Sequence, residues 1–339
     1  MKVIITGGAG FIGCNAARRY MSRGDDVVVV DDLSRRGADK NLRWLETQGG
    51  FTFERVDIRQ AEPTRRVFEA HRDAGLVLHL AGQVAVTLSV RDPRDDFEVN
   101  ALGTFNVLEG ARNADIRAPM VYSSTNKVYG GMEDVGVVLR DGRYAYDDLP
   151  RGVSEERPLD FHSPYGCSKG AADQYWRDYQ RIYGLRTVVF RQSCIYGYRQ
   201  FGFEDQGWVA WFTIAAQLGR DITVYGDGRQ VRDILFVDDL VDGFDCAARH
   251  IGRTEGQCYN MGGGPENVIS LLDLLAYLEE RIGRKIPLRF DDWRPGDQRV
   301  FVADVSRASR EMDWRPRTGW RQGLEKLYDW VAANKGLFE

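Results

Sequence analysis

The chain of 339 residues has no long apolar run; its uninterrupted apolar stretches fall far short of the roughly 20 residues a membrane-spanning helix needs. Met1-Lys2 leads straight into a strand-like segment instead of a leader peptide, so no membrane partner and a cytoplasmic location are expected. Basic charge is not in excess. The 46 Lys and Arg stand against 50 Asp and Glu, which argues against nucleic acid as a partner. Cysteine is sparse: Cys14, Cys167, Cys194, Cys246 and Cys258 are odd in number and unpatterned, which suits a reducing cytosol better than a disulfide framework. The four histidines, His71, His79, His162 and His250, share no ligand spacing with one another or with cysteine, so no bound metal is expected. Repeats and low-complexity tracts are also missing.

What is present is alternation. The length calls for one large domain or two lobes with continuous cores. In the first half, short β-branched runs at 2–6, 26–31, 51–56, 76–80, 119–124 and 186–192 read as strands. Amphipathic stretches at 13–23, 62–73, 96–114 and 164–183 read as helices, the last capped by Gly184. This predicts an α/β fold with a doubly wound parallel (Rossmann) sheet. The later chain is less regular, with strands expected at 222–225, 234–236 and 286–290 and helices at 206–219, 239–249, 270–282 and 321–334. It reads as a smaller C-terminal α/β substrate-binding lobe. The expected division is 1–192 for the dinucleotide domain and 193–339 mainly for the lobe, with some chain returning to the first domain. The polar segment 131–162 carries weak strand signal and reads as a long loop or flap.

A glycine-rich turn, Gly7-Gly8-Ala9-Gly10-Phe11-Ile12-Gly13, joins the first strand to the first helix. Glycines at that spacing permit a tight turn, backbone approach to a pyrophosphate and close helix–strand packing, while the helix amides face the anion. Asp31 ends the next strand, 18 residues after Gly13, where a carboxylate can bind both ribose hydroxyls of adenosine. It would repel a 2′-phosphate, which favours NAD over NADP, with Arg35 and Arg36 pulling the other way. Asp57 after the third strand either meets the adenine amino group or caps a turn.

The strand at 119–124 delivers the hydroxyls Ser123, Ser124 and Thr125 to the ligand crevice of the sheet. Tyr165 and Lys169 stand at i and i+4 on one helix face, where an ammonium, helped by a cationic nicotinamide, can lower a phenol pKa and let it take a proton from an alcohol. Lys169 also has the reach to bond the nicotinamide ribose.

With these motifs the chain resembles the extended short-chain dehydrogenase/reductase family, in particular its NAD-dependent nucleotide-sugar epimerases and dehydratases. TGGAGFIG (6–13), HLAGQ (79–83), SSTNKVYG (123–130), YGCSK (165–169), RQSCIYG (191–197), GDGRQVRD (226–233), VDDLV (237–241) and RPGDQR (294–299) carry the likeness over nearly the whole length. It implies tightly bound NAD held by Gly7, Gly10, Phe11, Ile12, Gly13 and Asp31, and further by Ser34, Arg35, Asp57 and Ile58. Leu80, Ala81 and Gln83, with Asn100 at the start of the third helix, complete that set alongside Tyr165 and Lys169. It implies Thr125 as the catalytic hydroxyl with Ser124 as the neighbouring candidate.

Dehydratases of the family place Asp and Glu where this chain has Asn126 and Lys127. An amide cannot deliver a proton and an ammonium cannot accept one, so elimination is poorly served and an epimerase is expected. Arg232 and Arg294 match positions that bind the substrate pyrophosphate. The segments 159–175, 131–162 and 201–212 resemble the members acting at carbon 2 of CDP-linked hexoses, through oxidation to a 2-keto sugar, rotation and re-reduction. They imply Asn126, His162, Gln206 and Trp208 as sugar-side residues, although Trp208 also reads as core. Cys194 replaces a common Asn, so a bracing contact must be remade. A UDP- or GDP-sugar 4-epimerase or reductase is the alternative enzyme, and a catalytically silent dinucleotide sensor the alternative of another class. The helices near Asn100 and Tyr165 resemble those of a four-helix contact, which implies a homodimer or homotetramer.

Overall fold

The computed structural model describes residues 1–294 and 296–338; Pro295, within the RPGDQR stretch, and Glu339 lie outside it. Along the chain run β1 (Lys2–Thr6), α1 (Phe11–Ser22), β2 (Asp26–Val30), α2 (Ala38–Glu46), β3 (Thr52–Glu54), α3 (Ala61–Ala70), β4 (Leu76–His79), α4 (Val86–Arg91), α5 (Pro93–Phe97), α6 (Gly103–Asn113) and β5 (Met120–Thr125). A hairpin of β6 (Val137–Arg140) and β7 (Arg143–Tyr146) precedes α7 (Ser163–Tyr183), β8 (Thr187–Gln192) and β9 (Cys194–Tyr196). There follow α8 (Trp208–Leu218), β10 (Ile222–Tyr225), β11 (Val231–Phe236), α9 (Val237–Arg249), α10 (Ile251–Thr254), β12 (Cys258–Met261) and β13 (Val268–Ser270). The chain closes with α11 (Leu271–Ile282), β14 (Leu288–Asp291), β15 (Val300–Phe301), α12 (Ser306–Met312) and α13 (Trp320–Ala333).

Seven parallel strands form the main sheet in the order β12-β8-β5-β4-β1-β2-β3. Runs such as Val27-Val28-Val29-Val30 are apolar throughout because helices cover both faces. Val3 and Ile5 pack with α1 and α9 on one face, and Ile4 with α3, α6 and α7 on the other. The order reverses between β1 and β4, and that switch opens the ligand crevice at the strands' carboxyl ends. The smaller lobe is built on β13-β11-β15 with β9 beside β11, and a separate parallel pair of β10 and β14. Its core lies among α8, α11 and α13.

Four expectations change. The helix foreseen at 96–114 is α5 and α6 joined by a π-helical turn at Glu98–Leu102; Pro93 starts it and Asp92 caps it, accepting from the Asp95 amide at 3.0 Å. Asn100 therefore sits inside that turn and not at a helix start. The segment 131–162 holds a two-stranded hairpin whose Asp141 and Gly142 both have positive φ, 49° and 79°. It is not a loose flap, because Tyr146 and Val153 are buried with Val231, Val300 and Phe301 of the lobe. The sheet also gains a strand, β12, from beyond the lobe's first helices, and β11 starts at Val231, which places Arg232 on a strand.

Candidate active site

Glycine at the first turn is required by contact. A Cβ on Gly13 would lie 2.2 Å from the Gly7 carbonyl oxygen, and one on Gly7, whose φ is +68°, 2.6 Å from the Ala81 amide nitrogen. The loop amide of Ala9 donates to Asp31 Oδ2 at 3.0 Å and that of Leu33 to Oδ1 at 2.8 Å. Burial raises the Asp31 pKa while these amides oppose the rise. Both oxygens keep unused lone pairs beside the bare loop backbone, an arrangement that fits the ribose and pyrophosphate of a dinucleotide.

The other cofactor-side candidates divide. Phe11, Ile12 and Leu80 line the central cavity. Ser34 is exposed and donates to Asp32 at 2.7 Å, and Arg35 reaches Gln206 Oε1 at 2.9 Å, tying the cofactor edge to the lobe. Asp57 Oδ1 accepts from the Arg59 amide at 2.9 Å, as a turn cap does, and the Arg59 side chain holds both oxygens. The Ile58 side chain is buried in the core, where a Cβ on Gly103 would touch it. Asn100 is buried in the π turn; its Oδ1 accepts from the Gln83 amide at 3.0 Å and its amide group donates to Asp96 and Ser168. That network aligns the 80–83 loop with α7, and Asp96, which spacing did not reveal, is its hub. π turns of this kind recur at functional sites.

Strand alternation separates the hydroxyls of β5. Ser124 turns to the buried Asp173 at 2.8 Å, and Asp173 is held by Arg191 at 3.0 and 3.1 Å. Its hydroxyl is thus committed to a structural ion pair, although the residue borders the cavity. Thr125 Oγ1 accepts from the Lys127 amide at 3.2 Å and donates to Asn126 Oδ1 at 3.4 Å, and it borders the same cavity as Tyr165. Lys169 Nζ donates to the Ser123 carbonyl at 2.6 Å and lies 4.3 Å from the centre of the Tyr122 ring.

Burial pushes the Tyr165 phenol up to about 12; Thr125 and Arg35 oppose the rise and Asp96 adds to it. Burial pulls Lys169 down to about 7, against Asp96 and Asp173. The lowering foreseen for Tyr165 combines Lys169 with a cationic nicotinamide, and without that second charge burial keeps the phenol raised.

Thr125, Tyr165 and Lys169 border a cavity of about 400 Å³ that runs under the lobe. Asn126, Gln206, Trp208, Arg232 and Arg294 also line it. Arg232 pairs with Asp297 at 2.5 Å, and Arg294 pairs with Asp205 at 3.2 Å while stacking 3.9 Å from the Tyr225 ring centre. Trp208 serves two neighbours, its ring against Phe212 and its indole nitrogen donating to Cys194 Sγ at 2.9 Å. Cys194 thus meets a side chain here and not the backbone that an Asn would brace. His162 is 44% exposed, its Nε2 lies 3.1 Å from Asp160 Oδ2, and it is outside the cavity lining. Sequence reasoning assigns Lys127 no binding role, yet it lines the cavity. Among the described residues no helix is long and apolar enough to cross a membrane.

The family model described as the NAD dependent epimerase/dehydratase family matches residues 3–262. The chain belongs to that family. Membership accounts for the glycine cradle and makes NAD the cofactor. A CDP-paratose 2-epimerase of Salmonella typhi is 44% identical over 98% of this chain and 100% of its own. The UDP-glucose 4-epimerase of Thermus thermophilus, solved with NAD, is 31% identical with a TM-score of 0.82, covering 98% of this chain and 100% of that one. A dTDP-glucose 4,6-dehydratase of Streptomyces venezuelae, also solved with NAD, is 28% identical with a TM-score of 0.85, covering 99% and 98%.

Proposed function

We propose that the chain is an NAD-dependent isomerase that inverts carbon 2 of a CDP-linked hexose, CDP-paratose to CDP-tyvelose and CDP-glucose to CDP-mannose. The observation that carries this reading is the full-length similarity to the Salmonella typhi CDP-paratose 2-epimerase. The site supports it chemically, since the position after Thr125 offers an amide and an amine in place of two carboxylates.

In this reading Thr125 holds the sugar hydroxyl and Tyr165 takes its proton, returning it after the 2-keto sugar has turned over in the cavity. Bound NAD supplies the hydride acceptor, then the donor, and a positive charge near the phenol. Lys169 anchors the Ser123 carbonyl and offers its remaining protons to the cofactor's ribose. Arg232 and Arg294 hold the diphosphate, with Asn126, Gln206 and Trp208 nearest the sugar. Asp31 and the glycine turn hold the adenosine half.

The domain division at about residue 192, a cytoplasmic location and a homodimer or homotetramer belong to the same proposal. Five free cysteines support the second. Exposed Phe105 on α6 and Tyr175 and Ile182 on α7 support the third, as apolar faces suited to a two-fold helix contact.

The test is proton NMR of the purified holoenzyme in deuterated water with CDP-glucose and CDP-paratose, UDP sugars serving as controls. Inversion at carbon 2 without deuterium gain is expected. Inversion at carbon 4, or dependence on added NADH, overturns the reading.

A further inference from the structure

Three cationic side chains face the lobe end of the cavity, and two of them have carboxylate partners. Arg232 has Asp297 and Arg294 has Asp205, while the third nearby acid, Glu204, accepts from the Tyr225 hydroxyl at 2.9 Å. Lys127 has only neutral acceptors: its Nζ lies 3.3 Å from the Gly296 carbonyl oxygen and 3.4 Å from Gln298 Oε1, and it makes no ion pair among the described residues. The amine lies near Arg232 with no carboxylate in direct contact among the described residues. Burial and the Arg232 charge lower the Lys127 pKa to about 8, with Asp297 and the Cys194 thiol acting the other way.

Its place in the chain gives the amine a specific task. Lys127 follows Thr125 by two residues, at most about 7–8 Å between Cα atoms, and its own amide donates to the Thr125 hydroxyl at 3.2 Å. In a nucleoside-diphosphate hexose the phosphate hangs on carbon 1. When carbon 2 faces Thr125 and Tyr165, the sugar-bearing phosphate is three bonds from the reacting carbon and must sit beside the catalytic hydroxyls. When carbon 4 faces them, the width of the ring intervenes. An enzyme acting at carbon 2 therefore gains from a cation in the cavity beside Thr125, and Lys127 lines that cavity two residues on.

We propose that Lys127 Nζ binds the sugar-proximal phosphate of the substrate, and that this contact seats carbon 2 instead of carbon 4 against Thr125 and Tyr165. The second half rests on the carbon-2 reading; the first half does not. A charge-assisted contact of this kind supplies what Arg232 and Arg294, already paired, share less freely.

The experiment compares CDP with CMP, which lacks that phosphate, by calorimetry on NAD-loaded wild type, Lys127→Met and Lys127→Arg. The preference for CDP over CMP is expected to fall about tenfold in Lys127→Met and to persist in Lys127→Arg, with CMP affinity little changed. An unchanged preference, or equal losses for CDP and CMP, overturns the phosphate contact and leaves Lys127 as a tie to residues 296–298. With CDP-glucose as substrate, Lys127→Met is expected to raise the share of carbon-4 product among its turnovers. An unchanged product ratio overturns the seating role. If wild type itself inverts only carbon 4, the functional reading fails while the CDP and CMP comparison still judges the phosphate contact.

Discussion

The Ser124 hydroxyl donates to Asp173 at 2.8 Å, so two adjacent hydroxyls on one strand serve opposite faces of the sheet. Ser124 completes a buried ion pair, and Thr125 borders the cavity that Tyr165 lines. Ser124→Ala is expected to cost on the order of 1–2 kcal/mol of stability, because Asp173 loses a donor, while keeping most of kcat. Thr125→Val is expected to keep the fold and lower kcat/KM roughly a hundredfold. Urea denaturation and steady-state kinetics on both variants check the assignment, and an exchange of the two phenotypes would reverse it.

Tyr165→Phe removes the proton acceptor and almost no volume from a site where the ring is 7% exposed. Turnover is expected to fall by about 10²–10⁴-fold with the NAD content of the purified protein unchanged. The measurement is product NMR together with release and assay of bound NAD. Residual activity above a few per cent would move the proton-transfer role to another group.

Gly13→Ala drives a methyl group into the Gly7 carbonyl, with 2.2 Å between the atoms. The strand and helix must separate to admit it. The expected outcome is loss of copurified NAD and a lower melting temperature that added NAD does not restore to the wild-type value. Gly184→Ala, where a Cβ meets open space at a helix end with φ +71°, should affect stability alone.

Affinity for CDP should depend on pH through Lys127. Its folded-state pKa of about 8 applies before the diphosphate arrives; the anion favours the ammonium and raises that value. Binding therefore takes up a proton near pH 8, so affinity is full at lower pH and declines as pH rises through 8 and above. The groups facing Lys127 are Arg232, Asp297 and Cys194, and burial pushes the Cys194 thiol up to about 11, above this range. Calorimetry at pH 7, 8 and 9 should show the decline in wild type and its loss in Lys127→Met. A parallel decline in both would place the titration elsewhere.

The features legible in the sequence are the local ones. Gly7 to Gly13 and Tyr165 with Lys169 lie within single turns of backbone, so spacing alone places them. The hairpin was legible too, because Asp141-Gly142 between Val-Val-Leu-Arg and Arg-Tyr-Ala-Tyr is a strong turn signal, but the surrounding polarity outweighed it. Cys258–Met261 carries no strong alternation and is defined by pairing with β8, some 70 residues earlier. His162 matched a family segment, yet its place at the α7 N-terminus turns it to Asp160 and solvent. Lys127 and Asp297 come together at the cavity only through folding, and no spacing rule joins residues 170 positions apart.

The late strand β12 also sets an order of events during synthesis. Its partner β8 ends at Gln192, and until residue 261 has left the ribosome one edge of the main sheet stands open, with unpaired amides and carbonyls beside Val188, Val189 and Phe190. The nascent dinucleotide half is thus exposed to edge-to-edge association while the lobe is still being made. A fragment cut at residue 192 would keep that edge permanently, so it should be more prone to aggregate than the full chain, even with every cofactor-side residue in place.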